Sequence, residues 1–108
     1  MDGNYEDPGP ARDEVDRWTG PAVLEFGADW CGYCQGAQPI IATALADFPD
    51  VRRVKVADGK GKPLGRSFRV KLWPTLVFLK DGQEVARTVR PTDAGDVRRG
   101  LAAATGAA

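Results

Sequence analysis

Apolar stretches separated by turn-forming residues divide the sequence into alternating strands and helices. Residues 22–26 are apolar except for Glu25, which suits a central strand covered on both faces. From Cys34 to Phe48, apolar residues recur with a period near 3.6, which predicts a helix that Pro39 bends. Asp81-Gly82 is a strong hairpin signal. The predicted order is helix 10–19, strand 22–26, helix 34–48, strand 51–56, helix 64–70, strand 75–80, strand 83–90 and helix 93–103.

This order implies an α/β protein in which helices cover both faces of a four-stranded mixed sheet. The 108 residues suit one domain, and the sequence contains neither an internal repeat nor a linker that would split it. We predict a mobile N-terminal tail over residues 1–9, because Gly3, Pro8 and Gly9 stand among few apolar side chains. The domain then spans 10–104, and 105–108 are expected to fray.

The only two cysteines, Cys31 and Cys34, lie in the segment Trp-Cys-Gly-Tyr-Cys, where a predicted strand leads into a predicted helix. The free N–H groups and the dipole at the start of a helix favour a thiolate. A disulfide at this spacing closes too short a loop to constrain the unfolded chain much. The pair therefore suits reversible disulfide chemistry better than a structural role.

Composition excludes several other classes of protein. Fifteen basic residues balance fifteen acidic ones, so bulk charge does not indicate a nucleic-acid or membrane partner. With no histidine and no second cysteine pair, neither a four-ligand zinc or iron–sulfur site within one chain nor a histidine-dependent hydrolase is expected. No run approaches the roughly 20 apolar residues that span a bilayer. The polar N-terminus does not resemble a secretory signal, so a cytoplasmic location is expected, and an extracytoplasmic origin stays open.

From about residue 21 to 103, the sequence resembles thioredoxin-like proteins. Besides Cys31 and Cys34, the resemblance rests on a buried acid position (Glu25, usually Asp), a helix-bending proline (Pro39), an interior lysine position (Lys55) and a hydrophobic-Pro-Thr segment (Trp73, Pro74, Thr75). It implies a three-layer thioredoxin-like fold, which in some family members has a fifth N-terminal strand. The chain departs from the family at Gly27, where many relatives carry a large aromatic residue, and at Tyr33, where common thioredoxins carry proline.

The resemblance also implies roles for individual residues. Cys31 would be the nucleophile and Cys34 the resolving thiol, while Glu25 would accept the Cys34 proton through water and Lys55 would tune that acid. Pro74 is expected to be cis, with the backbone before it pairing with an extended substrate strand. The expected substrate-binding residues are Trp30, Gly32, Tyr33, Trp73, Pro74 and Thr75. Plainer interpretations also stand: an exposed acid at Glu25, a solvated Lys55 and a core-filling Trp73.

Taken together, these features predict a monomeric protein-disulfide reductase that uses Cys31 and Cys34 without any cofactor. Its substrates would be disulfide-containing proteins, and its electron donor would be a protein such as a thioredoxin reductase. Two alternatives remain open at this point. One is an extracytoplasmic disulfide oxidant, isomerase or partner-specific reductase, and the other is a thioredoxin-like binding module that does not turn over.

Overall fold

The sheet has four strands in the order β2-β1-β3-β4 in the computed structural model, which describes residues 4–106. Its central strand β1 pairs in parallel with β2 and antiparallel with β3, and β3 pairs antiparallel with β4. The predicted fold class is therefore confirmed. In chain order the elements are α1 (Arg12–Asp16), β1 (Pro21–Gly27), α2 (Gly32–Leu45), β2 (Arg52–Ala57), α3 (Pro63–Ser67), β3 (Thr75–Lys80), β4 (Gln83–Val89) and α4 (Ala94–Thr105).

Apolar side chains cover both faces of the sheet, as the pattern of β1 predicts. Alternate residues of a strand point to opposite faces, so Leu24 packs on one side and Val23 on the other. One core lies between the sheet and helices α1 and α3, and it includes Val15, Leu24, Phe26, Val56, Leu64, Phe68 and Val77. The other lies beneath α2 and α4 and includes Val23, Ile41, Leu76, Phe78, Val97 and Leu101.

Helix boundaries are the least accurate part of the sequence prediction. Helix α2 begins at Gly32 rather than near Cys34, because the Cys31 side chain caps its first turn. The same helix ends at Leu45 and contains Pro39. Helices α1 and α3 have five residues each, fewer than the pattern indicates. Among the residues described, no helix has the length and apolar character required to cross a membrane.

The N-terminal segment differs from the predicted mobile tail. Tyr5 is buried, and Glu6 forms a parallel bridge with Val56 at the outer edge of β2. This single bridge does not amount to the fifth strand that some family members have. Residues 1–3 of the predicted tail and 107–108 of the predicted frayed end lie outside the described residues, whereas α4 includes Thr105.

Candidate functional site

The two cysteines meet at the start of α2. The loop that follows β1 contains a turn, in which the Cys31 N–H donates to the Ala28 carbonyl at 3.2 Å. Cys31 then occupies the N-cap position, and its Sγ accepts a hydrogen bond from the Cys34 N–H at 3.3 Å. The two sulfurs are not bonded to each other, and Cys31 is 7% exposed whereas Cys34 is 1% exposed. The first sulfur is therefore the one closer to solvent, and the second lies behind it.

The Cys34 thiol holds its proton tightly. Burial, followed by its hydrogen bond with Cys31, raises the pKa of Cys34 from 9.0 to about 11. Hydrogen bonds with the Ala28 backbone and with the Tyr5 side chain lower this pKa without reversing the shift. Because a thiol must ionise before it attacks a disulfide, Cys34 needs a proton acceptor at neutral pH.

Glu25 is completely buried in β1, the strand that leads to the cysteines. Its Oε1 accepts hydrogen bonds from Arg53 Nη2 at 2.7 Å and Arg53 Nε at 3.0 Å, an ion pair that compensates for the buried charge. Its Oε2 accepts from Gln38 Nε2 at 2.8 Å and from the Tyr5 hydroxyl at 2.9 Å. The interpretation of Glu25 as an exposed acid is therefore wrong.

The cation that binds Glu25 is Arg53, which sequence reasoning missed. Lys55 is the register partner of Glu25 on β2, but its Nζ lies 4.6 Å from the centre of the Tyr5 ring. Both basic side chains lie on the same face of β2, because they are two residues apart. Gln38 was also missed, although it follows Cys34 by one helical turn, donates to the Cys34 carbonyl at 2.8 Å and accepts from Arg53.

Tyr5 joins this cluster through a gap that Gly27 leaves open. A Cβ placed on Gly27 would lie 2.5 Å from the Cys34 Sγ and 3.0 Å from the Tyr5 hydroxyl oxygen, which is closer than carbon atoms pack. The Tyr5 ring thus fills the space beside Gly27 and brings its hydroxyl between Cys34 and Glu25. The pKa of Tyr5 is raised far above its usual range, by burial first and by Glu25 second.

Exposed aromatic side chains surround the cysteines. Trp30 is 75% exposed and meets Trp73 edge-to-face, with ring centres 5.5 Å apart. Tyr33 is also exposed, and the Arg90 guanidinium lies 3.9 Å from the centre of its ring. Trp73 is half-buried against the core, and its Nε1 donates to Asp58 Oδ2 at 2.9 Å. Trp73 thus packs against the core and also belongs to the aromatic surface around the cysteines.

Pro74 lies at the same end of the sheet as the cysteines, because Thr75 at the start of β3 pairs with Phe26 near the end of β1. The Trp73–Pro74 peptide bond is cis, as predicted. Arg90, which sequence reasoning missed, donates from Nε to the Trp73 carbonyl and from its backbone N–H to the Pro74 carbonyl, each at 2.9 Å. Thr75 is buried, and its hydroxyl donates to the Leu72 carbonyl.

An apolar groove of about 710 Å³ begins at the exposed side of Gly32 and Tyr33. Helix α2 forms one wall, and the segment after β4 forms the other. The groove is lined by Gly32, Tyr33, Gly36, Ala37, Ile40, Arg90, Pro91 and Thr92. Within residues 4–106, no group of three or more acidic or cysteine side chains is arranged to hold a metal ion.

Comparisons with known proteins agree with this geometry. Residues 11–103 match the thioredoxin family model. The solved structure of reduced thioredoxin 2 from Pseudomonas aeruginosa PAO1 is 53% identical, with a TM-score of 0.88 and complete coverage of both chains. Thioredoxin H-type 1 of Nicotiana tabacum is 40% identical over 67 residues, and Chlamydia pneumoniae thioredoxin is 39% identical over 72 residues.

The matched segments cover different shares of these two sequences. They represent 62% of this chain and 53% of the tobacco protein, and 66% of this chain and 70% of the chlamydial one. An intact Cys-x-x-Cys pair in such a domain supports thiol–disulfide oxidoreductase activity, and the family implies disulfide substrates and a reductase donor in general terms. Both the fold and the sequence matches place this chain in the thioredoxin family.

Proposed function

We propose that this protein reduces disulfides of other proteins by dithiol–disulfide exchange through Cys31 and Cys34. The observation that carries the proposal is the placement of the two thiols. Cys31 caps α2 near solvent, and the less exposed Cys34 donates its backbone N–H to the Cys31 sulfur. Cys31 is thus placed to attack a substrate disulfide, and the second thiol is near enough to displace whatever becomes bonded to the first.

The exchange proceeds in two steps. The Cys31 thiolate attacks one sulfur of the substrate disulfide, and the other substrate sulfur leaves and takes up a proton. Cys34 then loses its proton and attacks Cys31 Sγ, which releases the second substrate sulfur as a thiol. The substrate gains two electrons and the Cys31–Cys34 pair is oxidised to a disulfide, so no cofactor is needed. A reductase such as a thioredoxin reductase would return the two electrons.

We further propose that substrates bind as extended chains across the aromatic rim formed by Trp30, Tyr33 and Trp73. The exposed Trp30 offers apolar area at the edge of the site. The backbone before Pro74 is the proposed partner of the substrate strand. Arg90 Nε donates to the Trp73 carbonyl, and the second lone pair of that oxygen can accept a hydrogen bond from an incoming strand.

The proposed reductase acts as a monomer, since both thiols belong to one chain. A cytoplasmic location suits this activity, because cytosolic thiols are kept reduced. The direct test is reduction of insulin with dithiothreitol or a thioredoxin reductase as the donor. Wild-type protein should turn over, and Cys31→Ser should abolish turnover. The redox potential tests the direction. A redox potential of about −270 mV supports a reductant, whereas a potential of about −120 to −180 mV would indicate an oxidant or isomerase instead.

A further inference from the structure

We propose that the Tyr5 hydroxyl relays the proton of the Cys34 thiol to Glu25 Oε2 when Cys34 attacks the mixed disulfide. This inference rests on the proposed exchange reaction and assigns a chemical role to a segment that the sequence pattern presents as a tail. It replaces the water molecule that sequence reasoning places between Cys34 and Glu25 with a fixed side chain.

The backbone around Tyr5 is held at both sides of the residue. The Tyr5 N–H donates to Asp29 Oδ1 at 3.2 Å in the loop before the cysteines. The next residue, Glu6, donates to the Lys55 carbonyl at 2.8 Å and accepts from the Ala57 N–H at 2.9 Å. The ring also receives the Lys55 ammonium on its face. Tyr5 therefore enters the site from an anchored segment, with its ring direction fixed.

The hydroxyl contacts both ends of the proposed proton path. It donates to Glu25 Oε2 at 2.9 Å, and it lies beside the Cys34 sulfur, since a Cβ on Gly27 would meet Cys34 Sγ at 2.5 Å and the Tyr5 oxygen at 3.0 Å. The tight fit around Gly27 supports this placement, because the Cys34 sulfur and the Tyr5 oxygen together occupy the space that a side chain at this position would need. Cys34 and Glu25 are almost inaccessible to solvent, and the Tyr5 hydroxyl lies beside both the Cys34 sulfur and the Glu25 carboxylate.

The proton balance of the relay leaves Tyr5 unchanged. The Cys34 S–H proton moves to the Tyr5 oxygen as the Tyr5 proton moves to Glu25 Oε2. The products are a Cys34 thiolate, a neutral Glu25 and an intact Tyr5 hydroxyl. The two transfers are concerted, since burial beside Glu25 disfavours a tyrosinate. Arg53 stays bonded to Oε1 while Oε2 carries the transferred proton.

The test uses single-turnover reaction of the reduced protein with dithiobis(nitrobenzoate), which releases one coloured thiolate when Cys31 attacks and a second when Cys34 resolves. Tyr5→Phe keeps the ring and removes the hydroxyl. We expect the first release to stay within about twofold of wild type and the second to slow about a hundredfold at pH 7. The deficit should shrink as the pH approaches 11, because Cys34 then ionises without help.

Two further measurements distinguish a relay from a structural effect. Tyr5→Phe should add little slowing in a Glu25→Gln background, because both variants interrupt the same path. In mixtures of light and heavy water, the second release of the wild-type protein should vary nonlinearly with deuterium content, since two protons move together. This last measurement needs no variant, so it tests the proposal even if Tyr5→Phe folds poorly.

Three outcomes would overturn the relay. The first is a second release at the wild-type rate in Tyr5→Phe. The second is full additivity of the slowing caused by Tyr5→Phe and Glu25→Gln, and the third is a linear dependence of the wild-type rate of second release on deuterium content. Each would leave the proposed reductase function intact, because both thiolates would still be released. Failure of the first release in the wild-type protein would instead contradict the proposed function itself.

Discussion

Gly27 and Tyr5 fit together beside Cys34, where the absent side chain of one residue makes room for the ring of the other. Here an aromatic ring comes from the N-terminal segment and brings a hydroxyl that donates to Glu25 at 2.9 Å. The fit places the Tyr5 hydroxyl, the proposed proton relay, beside the Cys34 sulfur.

This fit predicts that Gly27→Ala destabilises the protein by about 1–3 kcal/mol, because the added methyl group would overlap the Cys34 sulfur and the Tyr5 ring. Urea denaturation of the reduced protein measures the change. Gly36→Ala is the matched control, since a Cβ there meets nothing within 4 Å and alanine is the better helix former. A Gly27→Ala variant as stable as wild type would contradict the packing described here.

Arg53→Met should lower the free energy of unfolding by about 3 kcal/mol, because it leaves the buried Glu25 carboxylate without its ion-pair partner. Arg98→Met is a suitable comparison. Arg98 pairs with Asp47 on the surface, where both side chains are largely exposed, and its loss should cost less than about 1 kcal/mol. Equal losses in the two variants would show that the Arg53 pair contributes no more than a surface pair.

The raised pKa of Cys34 predicts a loss of stability in alkali. The folded protein holds the thiol proton more tightly than the unfolded chain does, so this contribution is complete below pH 9 and disappears as the pH rises towards 11. Unfolding free energies of the reduced protein between pH 8 and pH 11 should therefore fall more steeply for wild type than for Cys34→Ala. Parallel curves would indicate an ordinary thiol at position 34.

Trp30→Ala should raise KM for a protein disulfide substrate about tenfold and leave stability nearly unchanged, because Trp30 is mostly exposed and is a proposed contact for substrate. Val85→Ala provides a control, as Val85 is a partly exposed apolar residue on β4. Insulin reduction at several substrate concentrations separates KM from kcat. An unchanged KM in Trp30→Ala would remove this tryptophan from the proposed binding rim.

The features that the sequence predicts well depend on local pattern. The apolar run of β1 indicates a strand buried on both faces, and the spacing of Cys31 and Cys34 at a strand-to-helix junction indicates their chemistry. The burial of Glu25 is confirmed because it lies inside that same run. These signals need only neighbouring residues, so they can be recognised before the tertiary structure is known.

The remaining features depend on contacts between distant segments. Tyr5 lies in a polar stretch without periodicity, and its burial depends on the gap at Gly27, far away in sequence. Strand alternation places Arg53 and Lys55 on one face, but it does not tell which side chain reaches Glu25. Arg90 donates to the Trp73 carbonyl, and its own backbone has a φ of 49°. A sequence pattern does not predict this left-handed conformation for an arginine.

The central claim, attack by Cys31 followed by resolution by Cys34, is tested most directly by trapping. Cys34→Ser and Cys31→Ser variants would each be mixed in reduced form with a disulfide-containing protein, and adducts would be identified by mass spectrometry. The account predicts that Cys34→Ser accumulates a mixed disulfide through Cys31, whereas Cys31→Ser forms almost none. Equal trapping by both variants, or a preference for Cys34, would contradict it.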